Sequence, residues 1–297
     1  MKKWNWQKIW SVTKKIFLLI FILHTLWFII FLFQKFTVED FPIANLRSKV
    51  LIVCGSLIAL AIVYILWLRH IPVVKKIGIV IREVFFICYI SSFMYLVLGL
   101  VFNPLITITQ LTNLLSGYSL KRDYVSYDAM GPNIKLAVMA SEDQNFPDHD
   151  GFDIKAIKRA IKYNNKHPNK VRGASTLSQQ TAKNVFLYQG GGFFRKGLEV
   201  YFTFSIETLW SKRTILERYL NISEMGKGIF GVQAAAKYYF NKDAKDLTRS
   251  EAAQIAACLP TPKRLKPGDP YVMRRAAAIM QQMGFLEPDP DVQDIIK

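Results

Sequence analysis

The sequence predicts a mainly α-helical protein in which three membrane-spanning helices precede a helical domain. Hydrophobic residues make up 51% of the 297 residues. Three long apolar runs lie in the first third of the chain, and no convincing series of alternating apolar and polar residues follows them. The chain therefore divides into a membrane region, residues 1–102, and an outer part in which helices predominate.

The first apolar run, residues 16–33, is long enough to cross a hydrocarbon core of about 30 Å as a helix. Lys14 and Lys15 precede it. A cleavable signal peptide is the alternative, but the run is long for one and no small-residue cleavage site follows. A spanning helix is the preferred interpretation.

Two further runs, residues 50–68 and 84–102, have spanning length and no charged residue inside them. Basic residues are concentrated before the first helix and between the second and third. Because such residues favour the cytoplasmic side, these two segments are predicted to face the cytoplasm. Three crossings then place everything after residue 102 on the outer face.

Residues 103–130 mix polar and apolar side chains and are interpreted as a membrane-proximal connector. Residues 131–297 carry helix signals. Pro132 lies near a helix start, Asp153 is a candidate N-cap, and Thr248 with Glu251 fits a capping box. These signals predict a helical outer domain.

The net charge of +17 raises the question of an anionic partner. No nucleic-acid motif is present, and many basic residues flank apolar segments, so lipid headgroups and a phosphate-bearing substrate explain the charge better. Cys54, Cys88 and Cys258 are isolated, and three such thiols fit neither a metal site nor a disulfide framework.

The most informative polar stretch is residues 172–184, whose side chains are mostly small, hydroxylic, amide or cationic. Hydroxyls and amides suit sugar hydroxyl groups, while Arg172 and Lys183 suit phosphate oxygens. A turn leading into an ordinary helix is the simpler alternative. Carboxyl-bearing segments, 142–151 and 195–199, flank the stretch on both sides and would supply acid–base groups.

At these residues the sequence resembles the family 51 glycosyltransferases, the peptidoglycan polymerases. The segments 142–151, 173–184 and 195–199 match three family motifs in the family's order, and 215–240 and 251–262 resemble two more. The resemblance covers roughly residues 104–285 and is greatest to the monofunctional biosynthetic transglycosylases. It implies a lysozyme-like, mainly helical glycosyltransferase domain.

The activity implied by the resemblance is polymerisation of lipid II into β-1,4-linked glycan strands, with inversion at C1 and release of undecaprenyl pyrophosphate. Glu142 would be the general base. Glu199 would orient nearby cations, help to hold a divalent metal, or act as a general acid. No transpeptidase motif follows the domain, so cross-linking is expected to be another protein's task.

The resemblance also implies a set of substrate-binding residues. These are Asp143, Phe146, His149, Gly151, Arg172, Gly173, Ser175, Thr176, Gln179, Gln180, Lys183, Asn184, Arg195, Lys196, Tyr219 and Asn221. Gly191 departs from the family pattern, because relatives often have an arginine near the position that Gly191 occupies here.

No cofactor is expected to be required for the chemistry, although Mg²⁺ or Mn²⁺ could bind the pyrophosphate near Glu199. The expected partners are lipid II, the growing lipid-linked glycan, the membrane and other cell-wall synthesis proteins, with no nucleic acid. The expected location is the bacterial cytoplasmic membrane. The first two spanning helices exceed the family pattern and are either extra anchors or a partner- or lipid-binding addition.

Two other functions remain open at this point. Paired carboxylates on a helical fold also cleave sugars, which would make the protein a muralytic hydrolase. A scaffold that keeps the fold without turnover is the non-enzymatic alternative.

Overall fold

A computed structural model describes residues 6–35, 52, 55–56, 59–60 and 62–297. Two compact units divide the chain, Met1–Tyr95 and Leu96–Lys297. The described residues are mainly helical, as the sequence predicts. The second unit begins before the predicted connector and includes all of residues 103–130.

Two helices in the described part of the chain are long and apolar enough to span a membrane. They are α1, Trp6–Lys35, and α2, Pro72–Leu98. Both begin well before the apolar runs 16–33 and 84–102, because a run of apolar residues marks the hydrocarbon-crossing part of a helix rather than its start. The predicted helix 50–68 is described only at residues 52, 55–56, 59–60 and 62–68, and no third helix of spanning length is found among the described residues, so two of the three predicted spanning helices are identified.

Helices α1 and α2 pack through an ion pair and aromatic rings. Lys14 Nζ lies 2.9 Å from Glu83 Oε1, and the ring centroids of Phe21 and Tyr89 are 5.0 Å apart. Since Lys14 precedes Phe21 on α1 and Glu83 precedes Tyr89 on α2, the two helices run in the same direction.

The second unit contains ten α-helices among the described residues. They are α3 (Ile108–Leu115), α4 (Pro132–Glu142), α5 (Ile154–Lys166), α6 (Leu177–Phe186), α7 (Phe193–Leu209), α8 (Lys212–Ile222), α9 (Val232–Phe240), α10 (Arg249–Cys258), α11 (Pro270–Leu286) and α12 (Pro290–Ile296). Helix α4 packs against α10 and α11, and α6 packs against α7 and α8. Fully buried side chains such as Ile134, Leu177 and Leu216 form the core.

The three helix-start signals recognised in the sequence are confirmed. Pro132 begins α4, and the Asp153 carboxylate accepts a hydrogen bond from Ala156 N at 2.7 Å. Thr248 and Glu251 form the predicted capping box of α10. Local side-chain chemistry thus sets the starts of the helices that surround the site.

A small sheet of three strands was not predicted. It consists of β1 (Lys121–Arg122), β2 (Glu224–Gly226) and β3 (Ile229–Phe230) in the order β1-β3-β2. Strand β1 is parallel to β3, and β2 is antiparallel to β3. Strands of two or three residues are too short to show an alternating pattern in sequence.

Gly231 permits the close approach between the β3–α9 turn and the end of α8. Its φ is +86°, and a Cβ there would lie 2.6 Å from the carbonyl oxygen of Asn221. We expect Gly231→Ala to lower the free energy of unfolding by about 2 kcal/mol, because the backbone would be strained and the contact broken. Thermal unfolding of the full chain in detergent should then occur at a temperature lower by roughly 6 °C.

Gly197→Ala is the matched control, because Gly197 lies in α7 and a Cβ there would meet no atom within 4 Å. Alanine is favoured over glycine in a helix, so this change should not lower the unfolding temperature. Equal unfolding temperatures for the two variants would contradict the packing described at Gly231.

Candidate active site

Glu142 is the last residue of α4, and its side chain reaches the surface of a cleft while remaining only 13% exposed. Oε2 accepts a hydrogen bond from Gln180 Nε2 at 3.0 Å, and Oε1 accepts one from Ser141 Oγ at 3.1 Å. The guanidinium of Arg275 lies 3.7 Å from Oε1. These three neighbours hold the carboxylate in a defined orientation towards the cleft.

Asp143 connects the loop after α4 to the start of α6. Its buried carboxylate lies 3.0 Å from His149 Nε2 and accepts a hydrogen bond from Leu177 N at 2.9 Å. His149 Nδ1 in turn accepts a hydrogen bond from Gly151 N. Asp143, His149 and Gly151 therefore fix the loop that carries Glu142, which is a supporting role.

The cleft beside Glu142, named cleft 1 here, has a volume of about 710 Å³. The predicted site residues along its wall are Glu142, Asp143, Arg172, Gly173, Ser175, Thr176 and Gln180. Arg172 stands at its edge with its guanidinium 3.7 Å from the ring centroid of Tyr163. Cleft 1 is thus lined mainly by polar residues, which include the carboxylates Glu142, Asp143 and Asp153.

Helix α6 owes its start to two residues that the resemblance assigns to substrate binding. Thr176 Oγ1 accepts a hydrogen bond from Gln179 N, and Gln179 Oε1 accepts one from Thr176 N, each at 3.1 Å. Both side chains are almost fully buried. This capping box uses both side chains to orient α6, so that Gln180, Lys183 and Asn184 line the cleft walls.

A second cleft, named cleft 2, adjoins the first and has a volume of about 320 Å³. It is lined by Lys183, Asn184 and Tyr219 among the predicted residues. Gln180 and Pro260 line both clefts. The side chain of Gln180 lies at the boundary, because it donates to Glu142 on one side and accepts from the Tyr219 hydroxyl, at 3.1 Å, on the other.

Lys183 brings positive charge to cleft 2. Burial lowers the pKa of its ammonium group below the ordinary value for lysine, and the Glu199 carboxylate opposes this shift. The cations of Arg195 and Lys196 add to the decrease. The charged side chains of α7 are therefore near enough to Lys183 to influence its pKa.

Glu199 is buried and holds the two α7 cations in place. Arg195 Nη1 donates to its Oε2 at 2.7 Å, and Lys196 Nζ donates to its Oε1. Arg195 Nε is buried without a hydrogen-bond partner. Both carboxylate oxygens of Glu199 are thus bound to cations, and the two cations suit an anion. The Mg²⁺ or Mn²⁺ expected on the pyrophosphate near Glu199 stays a prediction.

Eight of the residues carried over by the resemblance line neither cleft: Phe146, His149, Gly151, Gln179, Arg195, Lys196, Glu199 and Asn221. Phe146 is fully buried in the core, and Gly151 adopts a φ of +88° against the side chains of α7. Asn221 is buried and hydrogen-bonds both the N–H and the C=O of Val125, at 3.0 and 2.9 Å. These contacts place Phe146, Gly151 and Asn221 in the packing of the unit, and their assignment to substrate binding stays a prediction.

Arg275 was missed in the sequence and belongs to the site. Its Nη2 donates to Ser141 Oγ at 3.2 Å and lies close to Glu142, yet it comes from α11, far along the chain. An arginine in a helix has no sequence signal that links it to a distant glutamate, so only the packing of α11 against α4 reveals it.

Comparison with known proteins places these residues in a family. The family model described as Transglycosylase matches residues 108–284. The chain is 56% identical over 171 residues to the biosynthetic peptidoglycan transglycosylase of Mannheimia succiniciproducens, covering 57% of this chain and 70% of that protein. It is 53% identical over 178 residues to proteins of the same name from Shigella boydii and Escherichia coli, covering 59% of this chain and 74% of each.

Proposed function

The chain belongs to the transglycosylase family, and from this we propose that it is a peptidoglycan glycosyltransferase that polymerises lipid II into β-1,4-linked glycan strands. The observation that carries the proposal is the meeting of the two clefts at Gln180. One cleft contains a candidate base, Glu142, and the other contains a candidate anion-binding cation, Lys183.

Cleft 1 would bind the acceptor, a lipid II molecule, and cleft 2 the end of the growing strand that carries the lipid pyrophosphate. Glu142 takes the proton from the 4-hydroxyl of the acceptor's N-acetylglucosamine. That oxygen forms a bond to C1 of the donor's N-acetylmuramic acid while the bond from C1 to the pyrophosphate oxygen breaks. The pair of electrons leaves with undecaprenyl pyrophosphate.

Lys183, Arg195 and Lys196 stabilise the charge that develops on the leaving pyrophosphate. The α configuration of the donor and the β configuration of the product make the reaction a single inverting displacement, which needs no enzyme nucleophile. Glu199 keeps Arg195 and Lys196 in position through its ion pairs. Because the leaving group is a stable anion, a strong general acid is not needed.

The membrane arrangement of the proposal is a multi-pass anchor in the bacterial cytoplasmic membrane. The N-terminus would face the cytoplasm and the transglycosylase unit the outer surface. The parallel packing of α1 and α2 supports this topology, because two neighbouring helices that cross in the same direction need a return crossing between them. The predicted helix 50–68 would provide it.

Incubation of the full-length protein in detergent with purified lipid II tests the proposed activity. We expect glycan strands that a muramidase degrades, resolved by gel electrophoresis, and release of undecaprenyl pyrophosphate. Soluble fragments released from intact sacculi, without polymerisation of lipid II, would instead identify the protein as a hydrolase.

A further inference from the structure

One wall of cleft 2 is formed by residues that are not among the predicted site residues. Asn113 comes from α3, and Glu224 begins β2. Both line the cleft together with Lys183 and Lys263. Asn113 is 5% exposed, and Glu224 has a side chain that is 12% exposed. Polar groups this deeply buried normally have hydrogen-bond partners.

Asn113 lacks one such partner. Its Nδ2 donates to Thr109 O and to Glu224 Oε2, each at 3.4 Å, whereas its Oδ1 is buried without a hydrogen-bond partner. The opposite orientation of the amide would also leave Oδ1 without a hydrogen bond, because Oδ1 would then face two acceptors, Thr109 O and Glu224 Oε2. Asn113 therefore keeps one unused acceptor atom, on a side chain that belongs to the lining of cleft 2.

Glu224 is a second acceptor on the same wall. Burial raises the pKa of its carboxyl, opposed first by a hydrogen bond from Gly228 N, at 3.2 Å. Lys263 lies 3.8 Å from Oε2, so part of the charge is balanced. An ionised carboxylate has lone pairs for about four hydrogen bonds, and this one can accept more than the described contacts supply.

We propose that Asn113 and Glu224 form a sugar-recognition wall in cleft 2, which accepts hydrogen bonds from hydroxyl or acetamido N–H groups of the donor strand beside its pyrophosphate. The inference rests on the proposed function. Pyrophosphate oxygens are acceptors and would be repelled by this wall, so the phosphates remain with Lys183 on α6. Sugars supply the donors that the wall lacks.

Cleft 2 also has apolar residues, which suit the apolar face of a sugar ring. Leu259, Pro260 and Pro262 line cleft 2 with apolar surface. A pyranose ring has an apolar face of C–H groups and a polar edge of hydroxyls. One ring can therefore contact the prolines with its face while its edge reaches Asn113 and Glu224.

The test measures the coupling of two lipid II analogues, one of which can act only as donor and the other only as acceptor. A lipid II without the 4-hydroxyl of its N-acetylglucosamine serves only as donor, and a lipid II whose C1–oxygen bond is replaced by C1–carbon serves only as acceptor. We expect Asn113→Leu to raise the KM for the donor about tenfold, since it removes the acceptor atom. The KM for the acceptor and the inhibition constant of undecaprenyl pyrophosphate, which carries no sugar, should not change.

Glu224→Gln keeps the side-chain volume and should also raise the donor KM, and Thr112→Ala, an exposed neighbour on α3, is the control. A donor KM unchanged in both cleft variants would overturn the inference. An equal increase in the inhibition constant of undecaprenyl pyrophosphate would assign the wall to the pyrophosphate, and a raised acceptor KM would assign it to the acceptor. Either result overturns it as well. No coupling by the unmodified protein would contradict the proposed function itself.

Discussion

Glu142→Gln should reduce the rate of lipid II polymerisation about 10³-fold, because an amide cannot take the proton from the attacking hydroxyl. Glutamine keeps the size of the side chain and can still hydrogen-bond Gln180 and Ser141. The decrease should therefore appear in kcat, with little change in the thermal unfolding temperature. Initial rates of glycan formation at saturating lipid II measure it.

Asp148→Asn provides the control for this change, since Asp148 is an exposed carboxylate in the loop that follows Glu142. Its removal should leave the rate within twofold, by the usual tolerance of exposed positions. A Glu142→Gln protein that polymerises lipid II at the unmodified rate would show that this carboxylate is not the base.

Lys183→Met should decrease kcat/KM about 10²-fold, because the variant loses a cation that stabilises the leaving pyrophosphate. Methionine preserves the packing of the buried stem, so the fold should remain intact. Lys155→Met, at an exposed position on α5, is the matched control and should have little effect. Equal kcat/KM values in the two variants would remove Lys183 from the anion-binding cluster.

The pH dependence gives a separate test of Lys183. Burial lowers the pKa of its ammonium group, with Glu199 opposing the shift, so the free enzyme loses this charge at a lower pH than an ordinary lysine, near 10.4, would. The kcat/KM should therefore decline on the alkaline side below that pH. Arginine stays protonated there, so Lys183→Arg should move the decline to higher pH.

Residues that carry the chemistry could be recognised in sequence because their side-chain types match what the reaction needs. Glu142, Lys183, Arg195 and Glu199 fall within short motifs; Glu142 lines cleft 1, Lys183 lines cleft 2, and Arg195 pairs with Glu199 on α7. Helix starts were also predictable, because a cap such as that of Asp153 depends on neighbouring residues only.

Other features depend on contacts between distant parts of the chain. Gln179 and Asn221 stand in motifs beside cleft residues, yet the first completes the capping box of α6 and the second hydrogen-bonds Val125. A motif shows which residue type a family has at a position. It does not show whether that side chain contacts the ligand or stabilises the backbone nearby. Arg275 and Asn113 reach the clefts from α11 and α3, and no sequence spacing connects them with α6.

The position of Gln180 has a consequence for how the two substrates bind. Its amide is oriented by Glu142 on one side and by the hydroxyl of Tyr219 on the other. A substrate that rotates this amide when it binds in one cleft also changes which amide atom, the oxygen or the nitrogen, faces the other cleft. Occupancy of the two cavities is then thermodynamically linked, and the linkage is reciprocal: each substrate alters the affinity for the other by the same factor.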